Sequence, residues 1–166
     1  RSLGKLKAVP GRMQEVAMKK NGARIFVDYA HTPDALESAL KSLRLHFMGK
    51  IYVVFGAGGN RDRGKRPMMG EIACNLSDHV IVTDDNPRDE DPAEIRSQII
   101  AGCPSAIEIG DRAEAILKSI EKLKNGDALL IAGKGHEKFQ TYNDSTYPFD
   151  DSEQASVSVK VLEGLV

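Results

Sequence analysis

The sequence contains no tryptophan, few other aromatic residues and only two cysteines among its 166 residues. Cys74 and Cys103 do not form a C-x-x-C motif, and so few thiols exclude a small domain held together by disulfides. We therefore expect both cysteines to be reduced and the protein to be cytoplasmic.

The sequence also lacks a strong charge bias and a long apolar run. A formal net charge of -1 gives no reason to expect affinity for nucleic acid or for a membrane surface. No apolar stretch is long enough to cross a bilayer. A hydrophobic content of 41% with 28% charged residues is typical of a globular domain with a real core.

The opening segment, RSLGKLKAVPGRM, has no initiator methionine and is not typical of the start of a domain. We expect residues 1–13 to be a linker from a preceding domain. Residues 14–166 are then expected to form a single domain of a multidomain protein.

Apolar runs and amphipathic runs alternate along the rest of the chain. In the segment 32–46, for example, Thr32 can cap a helix, Pro33 suits its first turn, and leucines and alanines recur with a helical period. The predicted strands are 23–30, 50–57, 79–85, 105–110 and 127–134, and the predicted helices are 32–46, 64–77, 91–103, 111–126 and 152–165. We expect residues 137–150 to be a polar excursion with an edge strand. The pattern predicts a Rossmann-like, three-layer α/β domain. Its mostly parallel sheet of about six strands would be flanked by helices, with one strand antiparallel near the C-terminus.

Polar motifs follow four of the five predicted strands. They are DYAH (28–31), GAGGNRDRGKR (56–66), DDNPRDED (84–91) and GKGHE (133–137). In sheets of this kind ligands bind outside the carboxyl ends of the strands. The sequence therefore predicts one site built from four loops.

The glycine-rich motif GNRDRGKR is not a Walker phosphate loop. Arg66 stands where the magnesium-binding Ser or Thr belongs, and a proline follows it. The segment also fails the dinucleotide pattern G-x-G-x-x-G, because position 61 is an arginine. A basic turn remains, with Arg61, Arg63, Lys65 and Arg66 directed toward the ligand edge. The alternative is a solvated basic loop.

The motif DYAHTPD places Asp28 and His31 at a strand end. An aspartate in this position commonly binds ribose hydroxyls, and an imidazole can lie near a base. The alternative is a turn in which Asp34 caps the next helix. Only His31 and His136 of the four histidines fall at the ligand edge, so a zinc site is not expected.

The motif DDNPR carries the most specific signal. Pro87 ends the strand, and Arg88 offers a planar fork suited to a carboxylate. Asp85, Asn86 and Glu137 can surround an ammonium group. Together they predict a site for an amino-acid zwitterion, and the alternative is a surface turn that caps the next helix.

Taken together, VPGRM, DYAHTPDALE, GAGGNRDRGKRPMMGEIA, TDDNPRDEDP and AGKGHE resemble the C-terminal domain of the Mur ligases, over essentially the whole chain. Within that family they are most similar to members that add meso-diaminopimelate. The resemblance implies an ATP-dependent, ADP-forming ligase that adds meso-diaminopimelate to UDP-MurNAc-L-Ala-D-Glu through an acyl phosphate. This domain would bind the incoming amino acid and close over ATP.

The resemblance also implies roles for individual residues. The implied meso-diaminopimelate contacts are Arg61, Asp85, Asn86, Pro87, Arg88, Gly133 and Glu137. The implied nucleotide contacts are Arg12, Asp28 and His31. Arg88 would bind the far carboxylate of the ligand, while Asn86 and Glu137 would hold its far ammonium.

The resemblance places the rest of the machinery elsewhere. ATP and Mg²⁺ would be bound mainly by a central ATPase domain, so no catalytic residue and no metal ligand is expected in this chain. UDP-MurNAc-dipeptide, meso-diaminopimelate and ATP are the implied partners, with no nucleic acid and no membrane. We expect a monomer, and we expect the chain alone to be inactive as a ligase.

Two alternatives stay open at this point. A related ligase of the folylpolyglutamate or cyanophycin synthetase type would share the fold and the DYAH element. A non-catalytic, Rossmann-like module that binds a nucleotide or an amino acid would also fit the alternating pattern.

Overall fold

The computed structural model describes residues 13–165, which form one main sheet, a separate hairpin and five helices. The strands of the main sheet are β1 (Gln14–Met18), β2 (Arg24–Asp28), β3 (Ile51–Phe55), β4 (His79–Val82), β5 (Ile107–Glu108) and β6 (Ala128–Ala132). The helices are α1 (Pro33–His46), α2 (Lys65–Leu76), α3 (Pro92–Ile100), α4 (Arg112–Lys122) and α5 (Asp151–Leu162). The hairpin is β7 (Phe139–Tyr142) with β8 (Ser145–Pro148).

The main sheet has the order β1-β2-β6-β3-β4-β5, and every pairing except β1 with β2 is parallel. Side chains alternate between its two faces, as the pleat of a strand requires. Phe26 packs into the core beside α1, α2 and α3, while Ile25 and Val27 pack into the core beside α4 and α5. Helices therefore cover both faces, which confirms the predicted three-layer α/β class.

The predicted helix starts match the structure closely. Thr32 caps α1 by accepting a hydrogen bond from the Ala35 amide at 3.2 Å, and Pro33 occupies the first turn. Asp91 caps α3 in the same manner. Asp34 lies inside the first turn of α1, so the alternative in which Asp34 caps the helix is wrong. These local signals work because a capping side chain satisfies an amide that the helix leaves unpaired.

Two features near the ends of the chain were not predicted as the structure has them. The antiparallel strand of the main sheet is β1, at its amino-terminal edge, which the sequence analysis missed. The antiparallel pairing near the C-terminus exists, but β7 and β8 form a two-stranded sheet of their own and do not extend the main sheet. A single parallel bridge joins Arg88 to Tyr142. The expected edge strand in 137–150 is thus a hairpin that lies over the loop after β4.

Within residues 13–165 no helix is both long enough and apolar enough to cross a bilayer. Cys74 on α2 and Cys103 after α3 are free thiols.

A buried ion pair connects the starts of two helices with the ends of two strands. The Arg112 guanidinium donates to both Asp151 oxygens, at 2.8 and 2.7 Å, and neither side chain is exposed to solvent. The same guanidinium donates to the carbonyls of Asp84 at 3.1 Å and Ala132 at 3.2 Å. Arg112 therefore ties the starts of α4 and α5 to the carboxyl ends of β4 and β6.

Replacing Arg112 alone by methionine should lower the free energy of unfolding by about 3–5 kcal/mol, because the Asp151 charge is left buried without a partner. The double variant Arg112→Met with Asp151→Leu should lose less free energy of unfolding than the single variant, since no buried charge is then left without a partner. Equilibrium urea unfolding followed by circular dichroism measures both.

The matched control for this prediction is Glu37→Gln, which breaks an exposed pair with Lys41. It should change the free energy of unfolding by no more than about 0.5 kcal/mol. A loss below about 1 kcal/mol for Arg112→Met would contradict the account.

Candidate functional site

The four polar loops meet at the carboxyl edge of the sheet, as the sequence predicts. They enclose a cavity of about 480 Å³. The predicted site residues that line this cavity are His31, Arg61, Asp85, Asn86, Arg88, Gly133 and Glu137. The structure thus brings together residues that lie more than 100 positions apart in the chain.

Two predicted site residues among those described, Asp28 and Pro87, do not line the cavity. Arg12 lies outside the described residues. Asp28 accepts hydrogen bonds from the amides of Ala30 at 2.7 Å and Met13 at 2.9 Å, so its carboxylate organises the turn after β2. Pro87 is not among the cavity-lining residues and packs instead against the glycine-rich loop.

The glycine-rich loop and the loop after β4 touch through their backbones. The Gly59 amide donates to the Asn86 carbonyl at 2.7 Å. A Cβ atom at position 59 would lie 1.7 Å from the Pro87 carbonyl oxygen. Only glycine permits this approach, and the contact fixes one loop against the other.

The hairpin β7–β8 holds the loop after β4 from its other side. Arg88 has a positive φ of 54°, which is an uncommon backbone conformation for a residue other than glycine. Its amide donates to the Thr141 carbonyl at 3.0 Å, and its carbonyl accepts from the Asn143 amide at 2.6 Å. The Gln140 side chain donates to the Asp85 carbonyl at 2.8 Å. Sequence analysis missed this role of the hairpin, although the pair Asn143–Asp144 between two polar strands is a turn signal.

The Arg88 side chain keeps part of its guanidinium available. Its Nη1 donates to the Gly59 carbonyl at 2.9 Å and approaches the Asn86 carbonyl at 3.5 Å. Both contacts use the same nitrogen, so the other edge of the fork can receive a carboxylate from the cavity.

Asp85, Asn86 and Glu137 surround an ammonium group, but in this structure it belongs to Lys134. The Lys134 Nζ lies 3.2 Å from Asn86 Oδ1, 3.6 Å from Glu137 Oε1 and 3.8 Å from Asp85 Oδ1, with no exposure to solvent. Burial lowers the pKa of Lys134 and outweighs the opposing effect of the Asp85 carboxylate. The sequence places Lys134 in the GKGHE motif at the ligand edge, between two glycines, but no role in the site was predicted for it.

The backbone around Lys134 explains the need for those glycines. Gly133 has a φ of 116° and Gly135 a φ of 57°. A Cβ atom at position 133 would lie 2.8 Å from Asp85 Oδ2. The strand β6 can therefore end directly beside Asp85, and the chain turns so that the Lys134 ammonium lies next to Asp85, Asn86 and Glu137.

The basic turn contributes less to the cavity than the sequence suggests. Arg66 is almost fully buried, and its guanidinium donates to both oxygens of Glu90, each at 3.0 Å. Arg63 makes a longer ion pair with Glu90 at 3.3 Å. Arg61, Lys65 and Arg66 line the cavity, and Arg61 is exposed. Arg63 does not line the cavity, and the Arg66 guanidinium also anchors the loop through Glu90.

His31 and Tyr29 also line the cavity. The His31 Nδ1 donates to the Tyr29 carbonyl at 3.0 Å, and the two rings are 4.6 Å apart between centroids. Both rings are available to a ligand from solvent. Among residues 13–165 no three His, Cys, Asp or Glu side chains come together in a way that would hold a metal ion.

Comparison with known proteins identifies the family. Residues 11–135 match the family model described as Mur ligase, glutamate ligase domain. The chain belongs to the Mur ligase family. That match includes all four loops of the cavity up to Gly135.

The chain is also similar to three known proteins. A UDP-N-acetylmuramoyl-L-alanyl-D-glutamate–2,6-diaminopimelate ligase from Agrobacterium fabrum is 54% identical over 99% of the chain and 34% of its own length. A solved structure of a ligase with the same name has a TM-score of 0.87 and 42% identity, over 96% of this chain and 33% of that one. A bifunctional folylpolyglutamate synthase/dihydrofolate synthase from Yersinia pestis has a TM-score of 0.60 and 19% identity, over 76% of this chain and 28% of that one, and shares the fold alone. The chain spans about a third of the length of the curated relatives it matches.

Replacing Glu90 by glutamine should remove part of the dependence of stability on pH. The hydrogen-bonded Arg66 guanidinium lowers the pKa of Glu90 from 4.5 to about 2. Stability from this pair is therefore fully present above pH 4.5 and is lost as the pH falls toward 2. The variant should be less stable than the original protein at about pH 6, and the gap should narrow as the pH falls. Urea unfolding at several pH values measures this.

Glu71→Gln, on the exposed face of α2, is the control for charge removal alone. It should leave stability nearly unchanged at each pH. If the difference in free energy of unfolding between Glu90→Gln and the original protein is the same at low and neutral pH, the pH dependence does not come from the Arg66–Glu90 pair.

Proposed function

We propose that the chain is the C-terminal, amino-acid-binding domain of an ATP-dependent Mur ligase that adds meso-diaminopimelate to UDP-MurNAc-L-Ala-D-Glu. The observation that carries the proposal is the pairing, in one cavity, of the Arg88 fork with the Asp85 and Glu137 carboxylates. A carboxylate site beside an ammonium site suits the far end of meso-diaminopimelate, which is itself a zwitterion. The names of the relatives at 54% and 42% identity support the same substrate.

The domain would bind and orient the amino acid. Arg88 would receive the far carboxylate, while Asn86 and Glu137 would hold the far ammonium, with Arg61 and Gly133 at the sides of the cavity. The free amine at the other end would then be directed toward the activated carboxyl group of the UDP-MurNAc-dipeptide. Holding two reactants in a productive geometry accounts for much of the rate in such a step.

ATP would supply the phosphoryl group that activates the substrate carboxylate. Arg61 and Lys65 at the cavity suit an anionic ligand, and His31 with Tyr29 offers rings that can lie near a base. Mg²⁺ has no cluster of ligands within residues 13–165, so we propose that it is held mainly by another part of the full-length protein. Arg12 and Asp28 stay predictions as nucleotide contacts.

The remaining expectations follow from the same proposal. Residues 14–166 would form the amino-acid-binding domain, and a first strand that begins at Gln14 supports this division, which stays a prediction. A cytoplasmic location and a monomeric state stay predictions. Low identity to the folylpolyglutamate synthase weighs against the related-ligase alternative, and membership in a ligase family weighs against a non-catalytic module.

The proposal predicts discrimination against L-lysine. Lysine carries an ammonium at its far end but no carboxylate, so it would leave the Arg88 guanidinium without its partner. Such a loss costs on the order of a few kcal/mol.

In the full-length protein, Arg88→Gln should lower kcat/KM for meso-diaminopimelate relative to L-lysine by roughly 100-fold, the equivalent of a few kcal/mol. ADP release with UDP-MurNAc-L-Ala-D-Glu measures the ratio. Arg88→Lys keeps the charge but not the fork, and it should recover only part of the preference.

Arg63→Gln removes a positive charge from a nearby exposed residue that does not line the cavity. It should leave the ratio within about threefold. A full-length protein that uses both amino acids equally well would contradict the proposed substrate.

A further inference from the structure

Lys134 lies behind the acidic wall of the cavity and not in it. The wall is formed by Asp85, Asn86 and Glu137, which line the cavity, whereas Lys134 does not. The Lys134 side chain has no exposure to solvent, and its Nζ is 5.9 Å from the centroid of the Phe139 ring. A ligand in the cavity would therefore meet the wall residues first and sense Lys134 through them.

The ammonium of Lys134 connects all three wall residues. It donates a hydrogen bond to Asn86 Oδ1 at 3.2 Å and forms ion pairs with Glu137 at 3.6 Å and Asp85 at 3.8 Å. Asn86 is held further by the Thr141 amide, which donates to the same Oδ1 at 3.0 Å. The Asn86 amide nitrogen consequently faces Glu137, at 3.5 Å. Lys134 thus fixes which atoms of the wall face the cavity.

Lys134 also sets the charge of the wall. Asp85 and Glu137 contribute two negative charges, and Lys134 offsets one of them. The nearby Arg112 is already balanced by its partner Asp151. One net negative charge remains on the wall, and the positive Arg88 lines the same cavity.

We propose that Lys134 is a positioning residue that determines specificity by limiting the wall to one net negative charge. This inference rests on the proposed function of the cavity. A wall with one negative charge, in one cavity with Arg88, is matched to a ligand end that carries one ammonium and one carboxylate. A wall with two negative charges would favour a ligand end that is a bare cation, because the extra attraction is not offset by repulsion of a carboxylate.

The test uses the full-length protein with Lys134→Met, which keeps the length of the side chain and removes its charge. The kcat/KM for meso-diaminopimelate should fall about tenfold or more, mainly through KM, while that for L-lysine should fall less or rise. The ratio of the two should therefore drop, by about tenfold where kcat/KM for L-lysine is unchanged. Lys138→Met, four residues away and exposed, is the matched control and should leave the ratio unchanged.

A second variant separates charge from structure. Adding Glu137→Gln to Lys134→Met returns the wall to one negative charge, and the ratio should move back toward that of the original protein. Both amino acids lose the same ammonium contact in this double variant, so their ratio reports the charge. If Lys134→Met does not fold, Glu137→Gln alone gives the reverse test and should raise the ratio, because the wall then carries no net charge.

The possible results separate the proposed function of the cavity from the proposed role of Lys134. A full-length protein that does not prefer meso-diaminopimelate would overturn the proposed function and this inference with it. A protein that prefers meso-diaminopimelate, but in which Lys134→Met lowers kcat/KM equally for both amino acids, would overturn this inference alone. In that case Lys134 would have only a structural role.

Discussion

The burial of two cations at the carboxyl ends of β4 and β6 organises the whole ligand edge. Arg112 and Lys134 are both withdrawn from solvent, and a charge in such a place must be paired and hydrogen-bonded. Asp151 accepts two hydrogen bonds from Arg112. The oxygens of Asp85, Asn86 and Glu137 surround the Lys134 ammonium. The first pairing fixes the strand ends, and the second fixes the side chains that face the cavity.

In this arrangement, the elements that support the site differ from the elements that would contact a ligand. The hairpin β7–β8 holds Arg88 in a left-handed backbone conformation, and Glu90 anchors the glycine-rich loop through Arg66. Neither Glu90 nor the hairpin lines the cavity. A ligand therefore meets a surface whose shape is set by contacts behind it, which lowers the cost of ordering the site on binding.

Much of this could be predicted from the sequence, because the signals were local. Strand runs such as Ile51–Phe55, the Thr32 cap and the motifs at the strand ends depend on neighbours in the chain. The strand β1 escaped prediction because it is short, half-buried and stabilised by its partner across the sheet, including the pair of Arg24 with Glu15. The burial of Lys134 and Arg66 was not predicted, for a related reason. A buried cation looks like a surface residue in sequence, and only the fold brings Glu90 to Arg66 from 24 positions away and Asn86 to Lys134 from 48.

The most direct test of the account is a crystal structure of the full-length protein with meso-diaminopimelate bound. We expect the far carboxylate to lie about 3 Å from the Arg88 guanidinium and the far ammonium to contact Asn86 or Glu137, with Lys134 still behind the wall. A ligand whose far end lies away from Arg88, or whose ammonium displaces Lys134, would contradict the account.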